Sequence, residues 1–230
     1  MRLSLLPNIL RKVRENLRHT ASFDVLEIGD VFQKGTRKDF SIEKKKLALV
    51  HVGPSGENRS AFFSLKGKVE SFLRSFDIEG VSFIPGLSVE PFLTVSSVFH
   101  PTRTAVIMHD GTALGIMGEI HPAIAKASGT DPKTVVAEFD MAAVMSARRL
   151  EKEYVPIRRF PYAMRDISLA FPKHVTVALA EALLREAGAP LLRSHELFDI
   201  YEQGEEKNFA FHLAFGAPDR TLSKIGRAHV

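Results

Sequence analysis

The chain has 230 residues, enough for one large domain or two small ones. Hydrophobic residues make up 45% and charged residues 25%, which is typical of a soluble globular protein, and no apolar run approaches the roughly 18 residues that span a bilayer. The absence of cysteine excludes disulfides, cysteine-ligated zinc and thiol catalysis. The net charge of +4 is compatible with an RNA partner without requiring one. We expect a cytoplasmic protein.

The first half of the chain is predicted to form an antiparallel sheet with flanking helices. Apolar residues at helical spacing predict helices over 3–17 and 62–76, and short apolar or alternating segments between turn residues predict strands. In chain order the strands are predicted at 25–32, 47–52, 81–84, 92–98, 105–108, 114–120 and 135–139, with short helices beginning at 122 and covering 141–148. Asp110-Gly111 is the strongest hairpin signal. The fold class expected from this order is α+β.

The second half is predicted to be a separate and smaller unit. A charged stretch over 150–160, with Pro156 and little periodicity, is interpreted as a linker between domains at 1–149 and 161–224. Beyond it we predict a strand at 166–171, a helix at 177–187 and strands at 197–201 and 209–215. This β-α-β-β order is the first part of a ferredoxin-like domain, which needs a further helix and strand for completion.

A series of short motifs runs through nearly the whole chain. They are Met1-Arg-Leu-Ser-Leu-Leu-Pro7, Leu26-Glu-Ile-Gly-Asp-Val-Phe32, Phe62-Phe-Ser-Leu-Lys-Gly-Lys-Val-Glu70, His100-Pro-Thr-Arg-Thr-Ala105, Gly115-Ile-Met-Gly-Glu-Ile-His-Pro122, Phe160-Pro-Tyr-Ala-Met-Arg-Asp-Ile-Ser168, Phe198-Asp-Ile-Tyr201 and Asp219-Arg-Thr-Leu222. In order and spacing they resemble the C-terminal part of the β subunit of bacterial phenylalanyl-tRNA synthetase.

The resemblance implies a fold and a set of partners. Residues 1–149 would form a class II synthetase-like module without catalytic residues, and residues 161–224 an incomplete ferredoxin-fold anticodon-binding domain. The family's β subunit joins a catalytic α subunit in an α2β2 assembly that charges tRNA(Phe). ATP and Mg²⁺ would be bound by the α subunit, so no cofactor is expected on this chain.

The chain departs from the family at both ends and in one loop. The family carries upstream domains, including an editing site, and Met1 falls at an internal position of its sequence. Residues 225–230 do not resemble the family's continuation but match a translated sequencing adapter, so we expect them to be a non-native tail. Glu205-Glu-Lys-Asn208 replaces a Gly-Lys-Lys-Ser stretch, which removes positive charge beside the expected RNA surface.

Catalytic residues are not expected on this chain. Amino-acid activation needs arginines on the ATP phosphates, because the reaction depends largely on charge stabilisation. The matching region, 115–125, contains Glu119 and His121 but no arginine, and Arg37 and Arg103 lack the required pattern. His100 and His121 each precede a proline, and we interpret both as turn-capping or hydrogen-bonding residues. The nine histidines show no metal-ligand spacing.

The RNA-binding candidates lie in and just before the second domain. Alternation places Ile167, Leu169 and Phe171, with Phe209, Phe211, Leu213 and Phe215, in the core, and leaves the opposite face of these strands small or polar. Our candidates for phosphate contacts or one stacked base are Arg158, Arg159, Phe198, His212 and Arg220. The alternative for Phe198 is core packing, and for Arg220 it is a salt bridge with Asp219.

Two other functions remain open from the sequence. One is an independent class II-like ligase that uses ATP and a small acid, which the missing arginines disfavour. The other is a free-standing RNA-binding module unrelated to aminoacylation, whose binding would be unselective and steeply salt-dependent.

Overall fold

The computed structural model describes residues 2–35, 41–53, 60–86, 92–131, 134–149 and 159–222. The chain divides into two compact units, Met1–Lys152 and Glu153–Val230. The predicted linker therefore falls largely outside the described residues, and so does the predicted tail at 225–230. Within the described parts of the chain, no helix is long and apolar enough to cross a membrane.

The first unit is built on a six-stranded antiparallel sheet whose strands follow the order β1-β2-β6-β5-β4-β3. Its elements are α1 (Leu6–Asn16), β1 (Phe23–Lys34), β2 (Ser41–Val52), α2 (Ser60–Ser75), β3 (Ser82–Pro85), a 3-10 helix (Leu93–Val98), β4 (Phe99–His109), β5 (Thr112–Ile120), α3 (Pro122–Ser128), β6 (Val135–Asp140) and α4 (Met141–Ala147). The predicted α+β class is confirmed.

Helices cover both faces of this sheet. The apolar stripe of α1, with α3 and the 3-10 helix, packs on one face, where Val50, Ile116 and Val136 are buried. The stripes of α2 and α4 pack on the other face, where Leu47 and Phe139 are buried. Successive residues of a strand point to opposite faces, so the two helical layers take alternate residues of the same strands.

The predicted hairpin between β4 and β5 is present. Asp110 and Gly111 have φ angles of 45° and 76°. Both central residues of a two-residue hairpin turn of this type need positive φ, which glycine and aspartate tolerate best.

The strand predicted at 92–98 is wrong, because Leu93–Val98 forms a 3-10 helix. Phe92 and Val95 are buried and lie three residues apart. A 3-10 helix has three residues per turn, so this spacing places both side chains on the sheet. The β-branched residues of the segment favoured a strand when read in isolation.

The second unit contains β7 (Ala163–Pro172), α5 (Val177–Gly188), β8 (Leu192–Gln203) and β9 (Glu206–Phe215). The three strands form an antiparallel sheet in the order β7-β9-β8. One face packs on α5, with Val175, Ala180, Phe209, Phe211 and Leu213 buried, which confirms the predicted core of β9. The opposite face has no helix on it among residues 159–222.

A buried carboxylate joins three distant segments of the first unit. Glu138 of β6 is fully buried and accepts hydrogen bonds from Ser4 Oγ at 2.6 Å and the Leu5 backbone N–H at 2.8 Å. Its other oxygen accepts from Lys46 Nζ of β2 at 2.6 Å. The carboxylate thus balances a buried ammonium group and satisfies a backbone donor at the start of α1.

We predict that Lys46→Met destabilises the chain by about 3–5 kcal/mol, because Glu138 would remain buried without its counter-charge. The matched control is Lys45→Met. The Lys45 side chain, one position earlier in β2, is largely exposed and pairs with Asp30 at 2.8 Å. Urea unfolding monitored by circular dichroism measures both variants. Equal unfolding midpoints for the two would contradict a structural role for the buried pair.

A second charged cluster joins β1, β2 and α2. Asp24 Oδ1 lies 2.8 Å from His51 Nδ1, and Lys68 Nζ lies 2.6 Å from both Asp24 oxygens. Burial raises the pKa of Asp24, but the hydrogen bonds from Lys68 and His51 outweigh it, so the pKa lies below its usual value. Asp24 therefore contributes stability above its unfolded-state pKa, and this contribution is lost as the pH falls through the folded-state pKa.

We expect Lys68→Met to destabilise the chain at neutral pH and to lose this effect as acid protonates Asp24. The unfolding free energy of both proteins, measured from pH about 7 to about 3, should show the difference shrinking toward the acid end. In an Asp24→Asn background the Lys68→Met change should have no such pH dependence. A pH-independent difference in the wild-type background would refute the assignment.

Candidate nucleic-acid interface

The open face of the second sheet is formed by alternate residues of its three strands. Across β7 and β9, Met164 lies opposite Ala214, Asp166 opposite His212 and Ser168 opposite Ala210. Alternation thus places Asp166, Ser168, Ala210, His212 and Ala214 on this face as predicted, but Met164 beside them is large, apolar and 58% exposed. Ala210 and Ala214 are buried, so the larger side chains around them form the accessible surface.

Strand β8 adds two aromatic side chains to this face. Phe198 is 50% exposed and Tyr201 is 45% exposed, and Tyr201 Oη lies 3.4 Å from Ser168 Oγ of β7. Sequence analysis did not identify Tyr201 as a site residue. A register shift between Leu197 and Asp199 places an extra residue in β8. Strict alternation from the core residue Leu197 would point Tyr201 inward, and the bulge turns it outward.

Phe198 and His212 form a stacked pair on this face. Their ring centroids are 4.0 Å apart and the ring planes differ by 14°. His212 Nδ1 lies 2.6 Å from Asp166 Oδ1, and because a carboxylate can only accept, Nδ1 is the donor. Phe198 is therefore not a core residue, and the stack joins two of the sequence candidates. It places aromatic surface where single-stranded RNA is commonly bound.

The predicted arginines are not brought together by the described residues. Arg159 is exposed, whereas Arg158 lies outside the described part of the chain. Arg220 forms a salt bridge of 2.9 Å with its neighbour Asp219, as the alternative interpretation expected. The acidic replacement at Glu205 and Glu206 lies at the β8–β9 turn and is exposed.

The second unit carries no net charge, unlike the whole chain. Residues 153–230 contain ten lysines and arginines and ten aspartates and glutamates, whereas the whole chain is +4. Phosphate attraction is the main source of unselective RNA affinity. The basicity of the whole chain is thus not evidence of a basic surface on this unit.

In the first unit, Arg103 has a structural partner, because it donates to Glu119 at 2.7 Å. Arg37, the other arginine considered for the ATP phosphates, lies outside the described residues. His121 caps α3 by accepting from the Ala123 backbone N–H at 3.1 Å, and His100 Nδ1 accepts from the Thr102 N–H. The turn-capping interpretation of both histidines is confirmed. The residues described contain no cluster of three metal-ligating side chains.

Two domain families match consecutive parts of the chain. Residues 1–141 match the phenylalanyl tRNA synthetase beta chain CLM domain, and residues 158–225 match the ferredoxin-fold anticodon binding domain. The two matches follow the order that the sequence motifs predicted, and the first covers more than half of the chain.

Similar proteins agree with this assignment. The phenylalanine–tRNA ligase beta subunit of Bacillus licheniformis is 34% identical over 97% of this chain and 28% of its own length, and that of Bacillus subtilis is 32% identical over 100% and 29%. The chain therefore spans less than a third of these relatives. A crystal structure of pyrrolysyl-tRNA synthetase from Desulfitobacterium hafniense shares the fold, with a TM-score of 0.50 and 19% identity over 63% of this chain and 48% of its own. The chain belongs to the phenylalanyl-tRNA synthetase β-chain family and contains its ferredoxin-fold anticodon-binding domain.

Proposed function

We propose that the chain is a non-catalytic part of a phenylalanine–tRNA ligase β subunit. The first unit would support the catalytic α subunit, and the second would bind the anticodon stem-loop of tRNA(Phe). One observation carries the proposal: the open face of the second sheet presents Phe198 and Tyr201 beside His212. An exposed aromatic pair on an uncovered sheet suits an unpaired loop, whose bases are free to stack.

A non-catalytic first unit agrees with the partner of Arg103, one of the two arginines that the sequence offered for the ATP phosphates. The Arg103 guanidinium is engaged by Glu119. An arginine that binds a phosphate of ATP must offer an uncompensated charge to the substrate. We therefore propose that ATP and Mg²⁺ are bound by the α subunit of an α2β2 assembly, and that aminoacylation takes place there, in the cytoplasm.

Phosphate contacts are proposed at the entry to the second unit. Arg159 is exposed, and Arg158 precedes it in the sequence. Arg220 is a weaker candidate because Asp219 already neutralises part of its charge. With no net charge over residues 153–230, unselective RNA binding is disfavoured relative to recognition of a particular loop.

We expect the chain to bind a tRNA(Phe) transcript at least about tenfold more tightly than a transcript whose anticodon loop is closed into a base-paired stem. The reason is that closing the loop removes the unstacked bases but keeps the phosphates. Filter binding at fixed salt measures the two affinities. Equal affinity for both transcripts would move the free-standing, unselective RNA-binding function to first place.

The proposed contact with the α subunit lies on the edge strand β1. Leu26, Ile28 and Phe32 are exposed by 57%, 58% and 37% and point to one side of the strand. β1 is the terminal strand of its sheet. Asp30, which pairs with Lys45, lies between Ile28 and Phe32 on the same side. Three exposed apolar side chains on an edge strand are costly in water and favour a protein partner.

We predict that the double change Leu26→Glu and Ile28→Glu abolishes co-purification with a bacterial phenylalanine–tRNA ligase α subunit, because two charges would be desolvated at the contact. The matched control is Ile84→Glu, which alters a 48% exposed isoleucine on β3, the opposite edge strand. Both variants should retain the wild-type unfolding midpoint. If the control loses the α subunit and the β1 variant keeps it, the surface is assigned to the wrong edge.

A further inference from the structure

Three side chains lie in a line across the open face of the second sheet, one from each strand. Asp166 of β7 contacts His212 of β9 at 2.6 Å, and His212 stacks on Phe198 of β8 with a centroid distance of 4.0 Å. We propose that Phe198, supported by His212, is the stacking platform for one unpaired RNA base, and that Asp166 is the positioning residue of this platform. The inference deepens the proposed function and rests on it.

The position of Phe198 leaves one of its ring faces available. The first face packs on His212, while β8 is the terminal strand of the sheet formed by residues 163–215, so no further strand lies beside the second face. Half of the Phe198 surface is exposed. A base can therefore extend the stack in the order base, Phe198, His212, with parallel rings throughout.

The bulge in β8 sets this geometry. The register passes from Leu197 opposite Phe211 to Asp199 opposite Ala210, and Phe198 is the extra residue between them. A bulge re-aims the side chain that it carries. Here it brings the Phe198 ring against His212.

Asp166 restricts the orientation of His212. Its carboxylate holds Nδ1, which fixes the imidazole torsion and keeps the ring within 14° of the Phe198 plane. A ring that is already ordered loses less rotational freedom when a ligand stacks on it. Asp166 is 67% exposed and acidic, so in simple electrostatic terms it would repel RNA. Its effect through His212 must exceed this repulsion.

The charge of the unit favours stacking over phosphate contacts as the source of affinity. Residues 153–230 carry no net charge, and Glu196 lies opposite His212 in the register. Each phosphate neutralised by a basic residue in a single strand contributes about −0.7 to the slope of log K against log salt. We therefore expect a slope no steeper than about −2 for an anticodon stem-loop.

The test measures binding of the 230-residue chain to a tRNA(Phe) anticodon stem-loop, with 2-aminopurine replacing single loop bases in turn. Phe198→Ala should weaken binding about 5- to 150-fold and abolish the quenching of one 2-aminopurine. Phe198→Tyr should keep the wild-type affinity and the quenching, whereas Phe198→Leu should lose both the affinity and the quenching. Because Phe198 is half exposed, all three variants should fold, and circular dichroism checks this.

The positioning role has its own control. Asp166→Ala should weaken binding about 2- to 10-fold, and the quenching of the same base should fall. Glu202→Ala removes an exposed acid from β8 outside the bulge that holds Phe198, so it should leave binding unchanged or strengthen it. If Asp166→Ala and Glu202→Ala both strengthen binding, the electrostatic effect dominates and Asp166 is not a positioning residue.

The outcomes separate this inference from the proposed function. If the wild-type chain does not distinguish the stem-loop from a fully paired hairpin, the proposed function fails and the platform with it. If it does distinguish them but Phe198→Ala binds like wild type, the platform alone is overturned. A salt slope steeper than about −4 would assign the affinity to phosphates and also overturn it.

Discussion

The buried carboxylate of Glu138 sets the arrangement of the first unit. A charge with no solvent contact must be paired and hydrogen-bonded, and Glu138 meets this requirement with Lys46, Ser4 and the Leu5 backbone N–H at the start of α1. The start of α1 is thereby fixed over the centre of the sheet. Arg2, just before α1, then reaches Glu27 of β1 and accepts the Phe32 N–H at its carbonyl oxygen. One buried charge thus connects the sheet centre to its edge strand.

The two units use their sheets differently, and this difference supports the proposed division of roles. Helices cover both faces of the first sheet, and Arg103 is engaged by Glu119. Among residues 159–222, one face of the second sheet is packed on a helix, and the other carries Phe198, Tyr201 and His212 without a helix over it. A covered sheet provides stability and outer surfaces for a partner, whereas an open sheet offers a platform for flat ligands.

Apart from segment 92–98, each predicted helix and strand is present, because local periodicity indicates it. The bounds were less predictable, since β2 and β4 begin at Ser41 and Phe99 rather than at the predicted residues 47 and 105. Segment 92–98 was the exception, since the same apolar residues suit a strand or a 3-10 helix until the sheet beneath them is known. The faces of β7 and β9 were also predictable from alternation. The orientation of Tyr201 was not, because it depends on a bulge in β8 that leaves no reliable mark in the sequence.

The amino-acid sequence alone indicated the two-part organisation, the α+β class and the family resemblance. It also identified Phe198 and His212 as candidates. These depend on composition, period and motif, which are properties of neighbouring residues. Folding decided which candidates act together: Asp166, His212 and Phe198 are far apart in the chain and meet only through strand pairing. It also decided that Leu26, Ile28 and Phe32 of β1 are exposed. Contacts between distant segments depend on register and burial, which no local pattern specifies.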